Sequence, residues 1–165
     1  MIFMDFEASG LRGFPIEIGW AIVYPDRHIA VESHFIHCER WMDQIERWDL
    51  KAESIHGIPR RIVIDFGKDP LTVARRANEV LAGQTVMIDS PYDATWCVEL
   101  FEEAGIAGAF TFMDVSAAFA GPEIDERAYE FALKFIDKVK PKTHRAADDA
   151  EHWATLYRMS LYDEA

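Results

Sequence analysis

The stretch Ile2-Phe3-Met4-Asp5-Phe6-Glu7 places the tightest limit on the fold. It reads as a β-strand over residues 2–7, apolar and aromatic except for two acids two positions apart. Side chains at i and i+2 point to one face of a strand, so Asp5 and Glu7 stand roughly 6.6 Å apart at about 3.3 Å per residue. The flanking residues through Ala8 are apolar or small, as in an inner strand. Two like charges on such a face are costly unless a cation lies between them. Taken alone, the segment also reads as an exposed strand end with two solvated acids.

The chain continues in a pattern of three strands and then alternating helices and strands. Residues 15–24 and 28–37 read as strands two and three, joined by a turn at Pro25-Asp26. A polar, aromatic segment over 39–61 reads as part helix and part loop. Helical spacing covers 71–81, with Gly83 placed to end it. Residues 85–88 form a short strand, 92–104 a helix stopped by Gly105, 111–115 another short strand, and 126–139 a helix closed by Pro141. The last helix runs from about 148 to 161. The expected class is α/β, a mixed central sheet covered by helices.

A length of 165 residues, half of them hydrophobic, suits one domain over 1–165 with a real core. No apolar run approaches the ~18 residues of a membrane span. The first residues lack the basic region and long apolar core of a signal peptide. Cys38 and Cys97 are too few for a disulfide framework and lack zinc-ligand spacing. Cytoplasm is the expected compartment. The net charge of −12 opposes nucleic acid at long range, unless the excess acids cluster where divalent cations neutralise them.

They do cluster. Asp93, in Asp89-Ser90-Pro91-Tyr92-Asp93, falls where a strand ends and a helix begins. Sites gather at such strand ends, although an acid in a first helical turn is also an ordinary dipole partner. In His144-Arg145-Ala146-Ala147-Asp148-Asp149, Asp149 shares a helix face with Trp153, Leu156 and Ser160 and so borders the core, whereas Asp148 points away as a candidate cap. His144 precedes the helix in a loop, where an imidazole near a buried carboxylate suits proton transfer and an ordinary surface histidine fits equally well. Asp5, Glu7, Asp93 and Asp149 together would make an oxygen-rich site for two Mg²⁺ or Mn²⁺ ions, with Asp5 bridging them, as in-line phosphoryl displacement requires.

These residues, in this order, resemble the DEDDh 3′–5′ exonucleases of the ribonuclease H-like fold, which include ribonuclease T, oligoribonuclease and polymerase proofreading subunits. The first motif is Phe3-Met4-Asp5-Phe6-Glu7-Ala8-Ser9-Gly10-Leu11, followed by Pro15-Ile16-Glu17-Ile18-Gly19 and Ile55-His56-Gly57-Ile58. The second lies at Tyr92-Asp93 and the third at His144 to Asp149. The resemblance implies metal ligands at Asp5, Glu7, Asp93 and Asp149. It also implies that His144 is the general base in releasing nucleoside 5′-monophosphates. Ser9, Gly10 and Leu11 would flank the 3′-terminal nucleotide, with Leu11 against its base. Ribonuclease T and oligoribonuclease are homodimers, so a homodimer is implied as well. Asp89 stands where many relatives carry Asn, and its extra charge bears on phosphate and metal affinity.

Lys134, Lys138, Lys140, Lys142 and Arg145 form a basic stretch with one acid, Asp137, beside His144. It reads either as a phosphate-contacting patch, with Lys142 and Arg145 nearest the site, or as a solvated helix face. Its small extent fits a single-stranded 3′ end or a short oligonucleotide, with RNA favoured over DNA. Trp41, Trp48, Phe131 and Phe135 are expected to cover or fill the core. His28, His34 and His37 fall on an exposed strand and do not suggest a metal site. Two other functions remain in view: a proofreading-like DNA exonuclease, and a non-catalytic binding module of the same fold.

Overall fold

Strand β1 (Ile2–Ala8) sits at the centre of the sheet because it is the one strand paired on both sides in opposite senses. It runs antiparallel to β2 (Pro15–Val23), which pairs in turn with β3 (Ile29–Phe35), and parallel to β4 (Thr85–Ile88), which carries β5 (Thr111–Asp114) at the edge. The order is β3-β2-β1-β4-β5. The computed structural model describes residues 1–162. The mixed sheet flanked by helices agrees with the pattern read from the sequence.

Both faces of the sheet are covered, so β2 is buried along nearly its whole length rather than alternating. On one face Met4, Phe6, Ile16, Ile18 and Trp20 share a core with Val73, Ala77 and Leu81 of α4 (Pro70–Leu81) and Leu100 and Phe101 of α5 (Pro91–Ala104). Each large side chain buried this way contributes about 1.5–3 kcal/mol. On the other face Phe3, Ala21 and Val23 meet Ala150, Ala154 and Tyr157 of α7 (Ala146–Met159). Outside α7 lies α6 (Glu126–Val139), held through Ala132, Ile136 and Leu156. No helix among the described residues is long and apolar enough to cross a membrane.

The segment over 39–61 is part helix and part loop, as expected: α1 (Glu39–Met42), a 3₁₀ turn (Ile45–Arg47) and α2 (Leu50–His56) precede α3 (Arg60–Phe66). Trp41 is buried in the core, as expected. Phe131 and Phe135 are not: they are 60% and 37% exposed and pack on one another with ring centroids 4.6 Å apart. The apolar arc of α6 is wider than its contact with α7. Helix α7 begins at Ala146, ahead of Asp148, because its first turn is capped from across the sheet. The Glu17 carboxylate of β2 accepts the Ala146 N–H at 3.1 Å. Asp148 is therefore not the cap; it accepts from Thr143 Oγ1 at 2.7 Å and Lys140 Nζ at 2.7 Å, tying the preceding loop down.

Candidate active site

The register of β1 against β2 sets the floor of the site. Asp5 pairs with Gly19 and Glu7 with Glu17, so the acids of β1 emerge on the face covered by α7. Gly19 permits the approach: a Cβ there would lie 2.4 Å from backbone atoms of Ala146 and Ala147. Glu17 is buried and holds the Arg145 guanidinium through two hydrogen bonds, from Nε at 3.0 Å and Nη2 at 2.8 Å. With the start of α7 clamped this way, Asp149 sits in its first turn over Glu7.

The other groups arrive from different elements. Ser90 caps α5 by accepting the Tyr92 N–H, and Pro91 opens the helix, placing Asp93 in its first turn. Asp93 Oδ1 accepts the Phe6 N–H of β1 at 3.2 Å, which locks helix to strand. The loop before α7 bends around Asp149, whose Oδ1 accepts the Thr143 N–H at 2.8 Å. His144 follows in the left-handed region at φ 56°, a conformation that costs a non-glycine residue about 1 kcal/mol or more. Its exposed side chain faces Glu7 and Asp149.

Two groups of ligand atoms result, each with all members within 4.8 Å of one another: Glu7, His144 and Asp149, and Asp5, Asp89 and Asp93. The structure thus brings Asp5, Glu7, Asp93, His144 and Asp149 to one end of the sheet. Asp5 Oδ2 and Asp93 Oδ2 are buried without a hydrogen-bond partner. Burial, and then repulsion from Asp93, Glu7, Asp149 and Asp89, push the Asp5 carboxyl well above its ordinary range. Glu7 is raised to about 8, by burial first and then by Asp149, Glu17 and Asp93, against a smaller opposing pull from Arg145. Asp93 is raised to about 7 by burial and by Asp89, despite the Phe6 N–H. Such a cluster cannot ionise fully by itself, and hard divalent cations are the groups that would allow it to.

The basic stretch is spent on the protein's own acids. Arg145 is held by Glu17, Lys140 pairs with Asp148 and Glu151 at 2.7 Å each, and Lys142 pairs with Asp89. Of the five cations only Lys134 and Lys138 make no ion pair among the described residues. The stretch is not the free phosphate patch that its charge count suggests, and neither Lys142 nor Arg145 is an uncommitted cation.

A cleft of about 500 Å³ opens beside Glu7 and His144. Leu11, 63% exposed, together with Ile55 and Trp96, supplies apolar walls, while Asp49 and Lys51 lie at its rim. Gly10 contributes backbone. Ser9 is buried, its hydroxyl donating to Arg47 O at 2.9 Å and accepting the Phe14 N–H at 3.0 Å, so it shapes the loop rather than facing the cleft. His56, read from the sequence only as part of the segment 55–58 and given no role in the site, also lines the cleft. Its Nδ1 accepts the Ile58 N–H at 3.0 Å, which leaves the proton on the buried Nε2. Burial lowers its pKa. Trp96 was legible in principle, three residues after Asp93 and on the same side of α5.

No protein-family model and no curated protein matches the chain. Solved structures do. Exonuclease X in complex with 5′-overhanging duplex DNA is 18% identical with a TM-score of 0.58, over 95% of this chain and 88% of that one. The zinc-bound complex of E. coli exonuclease I with single-stranded DNA is 13% identical with a TM-score of 0.69, over 96% of this chain and 39% of that one. Exonuclease I from Methylocaldum szegediense is 16% identical with a TM-score of 0.67, over 96% and 39%. The chain therefore spans about two fifths of the exonuclease I chains and most of exonuclease X. At these identities the likeness establishes a shared architecture, the ribonuclease H-like α/β fold.

Proposed function

We propose that this chain is a metal-dependent 3′–5′ exonuclease that removes nucleoside 5′-monophosphates from a single-stranded end. One observation carries the reading: two adjoining groups of carboxylates, one with an imidazole, stand beside a cleft of nucleotide scale and include buried oxygens that no donor satisfies. Asp5, Glu7, Asp93 and Asp149 would hold the cations, an all-oxygen set of the kind Mg²⁺ and Mn²⁺ prefer. Two such ions, when bound, stabilise the attacking and leaving oxygens of an in-line displacement.

The chain's own residues do the rest. Leu11, Ile55 and Trp96 bind the terminal base by apolar contact in the cleft. His144 accepts the proton of the attacking water, whose oxygen bonds to phosphorus as the bond to the preceding O3′ breaks. Thr143 holds Asp149 through its backbone N–H, and Arg145 acts through Glu17 as a positioning residue for the start of α7.

The polymer is a separate matter. RNA is the sequence-based expectation, whereas the exonuclease X and E. coli exonuclease I structures hold DNA, which favours DNA. The test is incubation of 5′-labelled single-stranded RNA and DNA with Mg²⁺ or Mn²⁺, products being resolved to one nucleotide. Stepwise shortening that needs metal and is lost in Asp5→Ala supports the reading, and the preferred polymer names the substrate. Failure to shorten either one under any metal overturns it in favour of a binding module.

A further inference from the structure

The site contains one more carboxylate than that reaction uses. Asp89 follows β4, and the parallel pairing of Phe3 with Met87 places Asp5 and Asp89 alongside each other, two residues further on. An Asp89 oxygen lies within 4.8 Å of oxygens on both Asp5 and Asp93. Its Oδ2 accepts from Trp153 Nε1 at 2.9 Å and pairs with Lys142, whose ammonium also lies 4.6 Å from the centre of the Trp153 ring. Oδ1 has no donor among the described residues. The other two members of this group contribute the buried, unpartnered oxygens: Asp5 Oδ2, and Oδ2 of Asp93, which is 1% exposed.

We propose that Asp89 is a metal ligand, completing with Asp5 and Asp93 a second divalent-cation site that fills without nucleic acid, with Lys142 as the counterion of Asp89 in the metal-free protein. The proposal deepens the nuclease reading and rests on it. Three carboxylates converge where two oxygens already lack any donor, and a hard cation satisfies all three at once. The ammonium on Asp89 Oδ2 is the positive charge that the protein supplies for itself until the cation enters. A bound cation repels Lys142 and competes with it for Asp89 Oδ2.

The experiment is Mn²⁺ binding by the full chain without nucleic acid, followed by isothermal titration calorimetry and by the electron paramagnetic resonance of free Mn²⁺. Wild type is expected to bind two ions. Asp89→Asn keeps an oxygen for Trp153 Nε1, and should bind one ion normally and the second at least about tenfold more weakly. Lys142→Met removes the competing cation and should tighten the second ion only. Asp149→Asn should weaken the other ion and leave the Asp89 site filled. A single ion in wild type, or two ions of unchanged affinity in Asp89→Asn, overturns the proposal and leaves the exonuclease reading standing. Absence of any Mn²⁺ binding, together with no metal-dependent shortening of either polymer, brings down both.

Discussion

Replacing Asp93 with Asn should stabilise the cation-free protein. Asp93 is buried, with Oδ1 on the Phe6 N–H and Oδ2 without a donor, and its pKa is raised from 3.8 to about 7 by burial first and by Asp89 second. A carboxyl with its folded pKa above its unfolded one binds more protons in the native state. Its contribution is therefore fully present below about pH 4 and is lost as pH rises through about 7. At about 1.36 kcal/mol per unit, ionising it in place costs about 4 kcal/mol at about pH 8 and under about 2 kcal/mol at about pH 5. Asn keeps an oxygen for Phe6, cannot ionise, and offers an amide hydrogen to the neighbouring carboxylates. At about 2–4 °C per kcal/mol for a domain of this size, Tm should rise by roughly 8–16 °C at about pH 8, and by half that or less at about pH 5. Scanning calorimetry in chelator at both pH values measures it, and added Mg²⁺ should then raise Tm of wild type more than that of the variant. A variant no more stable than wild type at the higher pH, or a gain equal at both, would refute the reasoning.

The other expectations follow the same geometry. Because Glu7 is also raised, to about 8, the cation-free wild type should lose stability from about pH 5 to about pH 8, and Mg²⁺ should flatten or reverse that slope in thermal melts. Arg145→Ala strips the buried Glu17 of its partner and should cost about 3–5 kcal/mol in chemical denaturation, against less for the double variant Arg145→Ala/Glu17→Gln. Gly19→Ala forces a Cβ to 2.4 Å from the Ala146 backbone and should displace α7, lowering metal affinity and stability together in calorimetry. His144→Asn should leave Mn²⁺ binding within a fewfold of wild type while cutting kcat by about 10²–10⁴-fold.

Much of the site was legible because period-two spacing alone puts Asp5 and Glu7 on one face, and helical spacing turns Asp149 toward the core. The sequence did not reveal what each charge meets. Lys142 and Arg145 look free in the chain, but Asp89 and Glu17 reach them from other elements, and in the folded protein the two pairs are neutralised. Helix α7 starts ahead of its expected place for the same reason, since its cap is Glu17, on a strand 129 residues away. Phe131 and Phe135 show the limit of periodicity: it finds the apolar arc of α6 but not how much of it a neighbouring helix covers.

The clamp between Glu17 and Arg145 joins residues 128 apart, and the acids it aligns come from both sides of that span. Closing so long a loop costs chain entropy that its contacts must repay. A form in which α7 is undocked thus contains every ligand but no pocket in which to gather them. If the centre cuts nucleic acid, its power to do so depends on the docking of α7, which carries Asp149.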